Sequence, residues 1–123
     1  MTKAAEIAWD EQPEDDDYLH AFAYLSLIYP PKEAVALVDR LREAPMVSVK
    51  AKNVVRASGI EPLDSNNIHC HEDLRKIRLN QPLVPVLLLR DPVHGRVIIC
   101  EGFHRVSSAY RWSEDSTIRC KLA

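Results

Sequence analysis

No stretch of this chain approaches the roughly 20 consecutive apolar residues that span a bilayer, so no transmembrane helix is expected. The start, Met1-Thr2-Lys3 followed by acidic residues, lacks the basic-then-apolar pattern of a secretory signal. A basic excess is missing too: 16 Lys and Arg stand against 18 Asp and Glu, a formal net charge of −2. Duplex DNA binders draw much of their affinity from neutralising phosphates, so DNA is a poor candidate partner. Paired cysteines are also lacking. Cys70, Cys100 and Cys120 form an odd set without secretory context, which argues against a disulfide framework and for free thiols in a reducing cytoplasm. Internal repeats and low-complexity tracts are absent beyond the first residues.

What is present fits one globular domain. The chain has 123 residues, 46% hydrophobic and 28% charged, close to globular averages and within the range of a single core. Residues 1–16 are polar, and Glu11, Glu14, Asp15 and Asp16, with Asp17 after them, make an acidic run around Pro13. Such a composition buries little, so 1–16 is expected to be a flexible, solvated leader. Its acids would also suit the positive start of a following helix.

Beyond the leader the hydrophobic periodicity changes repeatedly. Residues 17–29 read as a helix closed by Pro30-Pro31. Residues 31–43 read as a second helix, with Ala34, Leu37, Val38 and Leu41 forming one apolar stripe. The two make an α-hairpin over 17–44. Residues 46–50 alternate as a half-buried strand does, and 51–58 read as a short helix stopped by Gly59. Residues 60–68 are rich in turn formers, 71–79 read as a helix, and Pro85-Val86-Leu87-Leu88-Leu89-Arg90 is the continuous apolar run of a central strand buried on both faces. Residues 96–100 are its hairpin partner, 102–112 a helix, and 117–122 an edge or penultimate strand. Cys100 and Cys120 fall in these strands and read as small buried apolar residues. The expected class is α/β in the α+β sense: a small mixed β-sheet with packed helices, the core spanning 45–123.

The chemistry is concentrated where the strand at 96–100 runs into Glu101-Gly102-Phe103-His104-Arg105 and a helix. A helix start offers unpaired N–H groups and a positive dipole end, a natural anion site. Gly102 would let a phosphate approach the backbone closely. Arg105 in the first helical turn is electrostatically unfavourable unless an anion offsets it. Either it meets a bound phosphate there, or it pairs with Glu101 or an acid of the leader.

Residues 97–109 resemble the nucleotide-binding motif of the ParB/sulfiredoxin superfamily, a strand, a Gly-x-[Arg/His]-Arg turn and a helix with alanine four residues beyond the arginine. Gly102, His104, Arg105 and Ala109 fill those places. The strands at 85–89 and 118–122 match in position and character, so the likeness covers roughly 46–123 and makes the hairpin an extension. It implies a ParB/sulfiredoxin-like fold that binds a nucleotide (ATP, ADP or CTP) with Mg²⁺. Its branches differ. Partition ParB proteins bind CTP and carry a DNA-binding helical domain after the turn; no such segment follows here, so DNA is not the expected partner. Sulfiredoxins place a catalytic cysteine immediately before the His-Arg pair, where this chain has Phe103, so that chemistry does not transfer. ADP-dependent free-serine kinases have an acid-Gly-x-His-Arg turn, the form of 101–105.

The resemblance thus implies phosphate binding by Gly102, Phe103, His104, Arg105, Ser107 and Ser108. Glu101 and His104 become the catalytic candidates of an ATP- or ADP-dependent phosphotransferase or nucleotidase acting on a small-molecule acceptor. Glu61, Asp64 and Glu72 are further candidates for the base. His69-Cys70-His71 lacks the second pair of ligands that a zinc site requires, so no metal ligands are expected. His69 and His71 read instead as a helix start able to contact a substrate. His20 and His94 read as surface histidines, and Arg75, Lys76 and Arg78, with Lys50 and Lys52, as a solvated basic face. The alternative function is a non-catalytic nucleotide-sensing or protein-interaction module whose leader and hairpin serve a partner or a homodimer.

Overall fold

In the computed structural model, which describes residues 6–123, strands β1 (Met46–Lys50), β2 (Val86–Asp91), β3 (Arg96–Glu101) and β4 (Thr117–Leu122) form one mixed sheet. The spatial order is β1-β4-β2-β3. β4 pairs antiparallel with β1 and parallel with β2, while β2 and β3 form the antiparallel hairpin expected of them. A register shift between Leu87 and Leu88 bends the end of that hairpin, just where β3 hands over to the turn at Gly102.

Successive side chains of a strand point to opposite faces, and β2 uses both. Val86 and Leu88 join Ile99, Ile118 and Cys120 on one face, where Val54, Leu74, Val106 and Ala109 pack from helices α3 (Ala51–Ser58), α4 (Ile68–Arg78) and α5 (Phe103–Trp112). Leu87 and Leu89 join Ile98 and Cys100 on the other, covered by Ala21 and Leu25 of α1 (Asp15–Leu25) and by Ala34, Val38 and Leu41 of α2 (Pro31–Glu43). The result is three layers, helices on both sides of the sheet. This accounts for the unbroken apolar run of β2, the strand with buried neighbours on every side. The three cysteines are free and buried, and burial pushes the Cys100 thiol up to about 12.

The structure departs from the sequence reading in three places. The leader, expected to be solvated over 1–16, is docked across its described part. Ile7 is buried, Trp9 bridges Leu83, and backbone bonds run from Asp10 N to Leu83 O and from Leu83 N to Ala8 O at 2.8 and 2.9 Å. The Trp9 indole also donates to the Thr117 carbonyl at 3.0 Å. Two large apolar side chains just ahead of the acidic run, Ile7 and Trp9, outweigh its polarity; residues 1–5 lie outside the described residues. Helix α1 begins at Asp15 and ends at Leu25, the residues up to Tyr29 being turn rather than helix. Helix α4 begins at Ile68, because the Asn67 side chain accepts from the His69 amide at 3.0 Å and caps it. Among the described residues no helix is long and apolar enough to cross a membrane.

Candidate functional site

Glu101 closes β3, and Gly102 turns the chain into α5 with φ 103°, the left-handed region. A Cβ on Gly102 would lie 2.5 Å from Val86 Cγ1 and 2.8 Å from Arg105 Nη2. The glycine is therefore required by backbone conformation and by the packing of β2, not only by the approach of a ligand. Its amide is already taken, donating to Glu101 Oε1 at 2.9 Å. The next three amides, of Phe103, His104 and Arg105, have no acceptor among the described residues; the helix ladder starts with Val106 N donating to Gly102 O.

These amides stand at the start of α5 beside an open cavity of about 280 Å³. Its lining comes from three directions. α1 supplies Asp17 and His20, α4 supplies His69, Glu72 and Asp73, and the β3–α5 turn supplies Glu101, Gly102, His104 and Arg105. Four carboxylates thus face one guanidinium and three imidazoles.

Arg105 takes the pairing alternative. Its Nη2 lies 3.4 Å from Asp17 Oδ1 and 3.9 Å from Glu101 Oε1, with 15% of the side chain exposed. Asp17 is fixed from behind, since its Oδ2 accepts from the Glu14 amide at 2.9 Å at the start of α1. Neither contact closes the cavity, which remains lined by the same three residues. The His20 Nδ1 lies 3.1 Å from Glu101 Oε2. The rings of His69 and His104 meet at a tilt of 38°, with centroids 4.4 Å apart. Asp73 is half-buried, and burial raises its pKa against the opposing pull of Ser108, Lys76, Arg105 and His104.

Of the candidate site residues singled out from sequence, His69, Glu72, Glu101, Gly102, His104 and Arg105 line the cavity together. The others are placed elsewhere. Ser107 and Ser108 are fully buried, and their hydroxyls are engaged. Ser107 Oγ accepts from the Leu63 amide at 3.0 Å, pinning the 60–67 segment; Ser108 Oγ is 2.7 Å from His104 O and 3.1 Å from Asp73 Oδ2. Holding phosphate is not open to them, because both point to the inner side of α5. Phe103 packs its ring against the core and is outside the lining. His71 is exposed and outside the lining, as are Glu61 and Asp64.

Sequence reasoning missed Asp17, His20 and Asp73. Asp17 and His20 share one face of α1 at i, i+3, a spacing visible in the chain. Their proximity to Glu101 comes from α1 lying over β3, which no local pattern records. Compared with protein-family models, with curated proteins and with solved structures, the chain matches none.

Proposed function

We propose that this cavity binds the phosphates of a nucleotide together with a divalent cation, and that it serves ATP- or ADP-dependent phosphotransfer to a small-molecule acceptor or hydrolysis of the nucleotide. The observation that carries the reading is the run of three amides, Phe103 to Arg105, without an acceptor among the described residues, at the positive end of α5 beside a guanidinium and an open cavity. The resemblance of 97–109 to the ParB/sulfiredoxin turn points the same way.

Charge decides the form of the ligand. Four carboxylates against one guanidinium repel a bare polyphosphate. The same carboxylates accept a phosphate whose charge a divalent cation offsets, so the donor set fits a metal–nucleotide complex. Asp17 and Glu101, the acids beside Arg105, would hold the cation, Mg²⁺ being the ordinary nucleotide companion. When bound, it would neutralise charge developing on the transferred group. The chain's own groups would do the rest. The amides of 103–105 and Arg105 would orient phosphate oxygens, and Glu101 and His104, both in the lining, would be the groups to take the proton of an attacking hydroxyl or water. The cavity is too small to enclose a whole nucleotide, so the base would lie at its mouth.

The test is thermal unfolding of the wild type and Arg105→Ala with ATP, ADP, CTP and GTP, each with and without Mg²⁺. A ligand at a hundred times its Kd adds about 2.7 kcal/mol of stability. A rise in Tm that requires Mg²⁺ is expected for the wild type, with most of the increment lost in Arg105→Ala. Absence of any shift would overturn the reading. It would favour a non-catalytic interaction module, for which the exposed Leu19, Leu27 and Val35 of the hairpin offer an apolar surface.

A further inference from the structure

Beside the two carboxylates that the nucleotide reading assigns to a cation, the cavity holds a third side chain of metal-ligand type, His20, which that reading does not require. Asp17 and His20 sit one turn apart on α1, and Glu101 ends β3 beneath them. One ligand atom from each lies within 4.8 Å of the others. The His20 Nδ1 to Glu101 Oε2 separation is 3.1 Å. Two donors bound at right angles about 2.1 Å from one ion stand about 3.0 Å apart, so this pair is already spaced as neighbouring ligands.

Both carboxylates are oriented from outside the cluster. The Gly102 amide holds Glu101 Oε1, and the Glu14 amide holds Asp17 Oδ2, each at 2.9 Å. Such hydrogen bonds to ligating carboxylates pre-set their direction. Charge is a separate argument. Arg105 offsets one of the cavity's four negative charges from 3.4 and 3.9 Å, and its contacts lie away from the Glu101 Oε2 that faces His20. A dication would offset much of the remainder.

From this juxtaposition we infer that Asp17, His20 and Glu101 hold a first-row transition dication of the Zn²⁺ or Mn²⁺ class, bound by the protein itself in the absence of nucleotide. The imidazole sets the class. Mg²⁺ and Ca²⁺ favour all-oxygen surroundings, whereas imidazole with carboxylates suits the borderline ions. Three protein ligands leave a coordination position open for a further ligand. Use of that position by a phosphate oxygen rests on the nucleotide reading; binding of the ion does not.

The experiment uses the full chain freed of metal by chelation. Zn²⁺, Mn²⁺ and Mg²⁺ are titrated calorimetrically without nucleotide, and Co²⁺ is added as a visible-absorption probe. One equivalent of Zn²⁺ is expected, bound at least tenfold more tightly than Mg²⁺, with Co²⁺ bands from an imidazole–carboxylate site. His20→Ala, at a side chain 67% exposed and therefore safe for folding, should weaken Zn²⁺ at least tenfold and abolish the Co²⁺ bands. His94→Ala, on the distant β2–β3 hairpin, should bind as the wild type does. No stoichiometric Zn²⁺, or equal affinity in wild type and His20→Ala, overturns the inference. The two readings fail separately. Zn²⁺ binding without any nucleotide shift removes only the nucleotide reading, and an Mg²⁺–nucleotide shift unchanged in His20→Ala, without Zn²⁺ binding, removes only this one.

Discussion

Gly102 shows how one residue can be found for an incomplete reason. From sequence, a glycine between a strand and a helix suggests room for a phosphate. In the fold its φ of 103° and the Val86 methyl 2.5 Å from where a Cβ would stand are sufficient cause in themselves. Val86 is a fully buried residue of the central strand, so it has little room to retreat. Gly102→Ala combines backbone strain with overpacking, and we predict a loss of about 2–4 kcal/mol in urea unfolding. A loss within about 0.5 kcal/mol, the range of a neutral surface change, would show that the turn can reorganise freely.

Asp73 makes a prediction of opposite sign. Burial raises its folded pKa above the ordinary carboxylate value, although Ser108 and the nearby Lys76, Arg105 and His104 pull it down. A raised carboxyl pKa means that the folded state takes up its proton first as pH falls. The ionised group therefore costs stability above the folded pKa, and that cost disappears below the unfolded value. Asp73→Asn should be modestly more stable than the wild type at pH 7.5, with a higher Tm, the gain being under about 1 kcal/mol because the group is half exposed to solvent screening. The gain should vanish by pH 3.5. Differential scanning calorimetry at the two pH values checks this, and an Asn variant less stable at neutral pH would contradict it.

At the scale of elements, the sequence was most legible where periodicity is intrinsic. The α2 stripe, the alternation of β1 and the apolar run of β2 each follow from one residue's relation to its neighbours three, four or two positions away, and all three elements lie where that pattern puts them. The starts of α1 and α4 differ from the periodicity because capping is decided by single side chains, Asp17 accepting from the Glu14 amide behind it and Asn67 from the His69 amide ahead of it. The leader was misjudged for a different reason. Ile7 is buried and Trp9 bridges Leu83, but the acids that follow dominate the composition. Within the site, the β3–α5 turn was readable because strand, glycine and helix are contiguous. Asp17, His20 and Asp73 were not, since they reach the cavity from α1 and α4, over 80 and about 30 residues away in the chain.

Considered as a whole, the molecule shares a single sheet between two helical layers, and this changes the standing of the N-terminal hairpin. The sequence suggests an extension added to a core at 45–123. In the structure, α1 and α2 cover Leu87, Leu89, Ile98 and Cys100, and the same β2 strand supplies Val86 and Leu88 to the opposite layer. An extension could detach and leave the core folded; a shared layer could not, because its loss would expose alternate residues of the central strand. The buried cysteines distinguish the two cases. Cys100 lies under the hairpin and Cys120 under α3, α4 and α5. Both thiols are held well above their usual range by burial, so reaction with a thiol reagent reports exposure. If the hairpin were detachable, Cys100 would label at a lower urea concentration than Cys120. Coupling through β2 predicts one midpoint for both. Leu41→Ala, which empties a fully buried position in the hairpin layer, should cost about 2–5 kcal/mol and lower the labelling midpoint of Cys120 as much as that of Cys100, although Leu41 and Cys120 lie in separate cores. A variant that released Cys100 alone would restore the hairpin to the rank of an appendage.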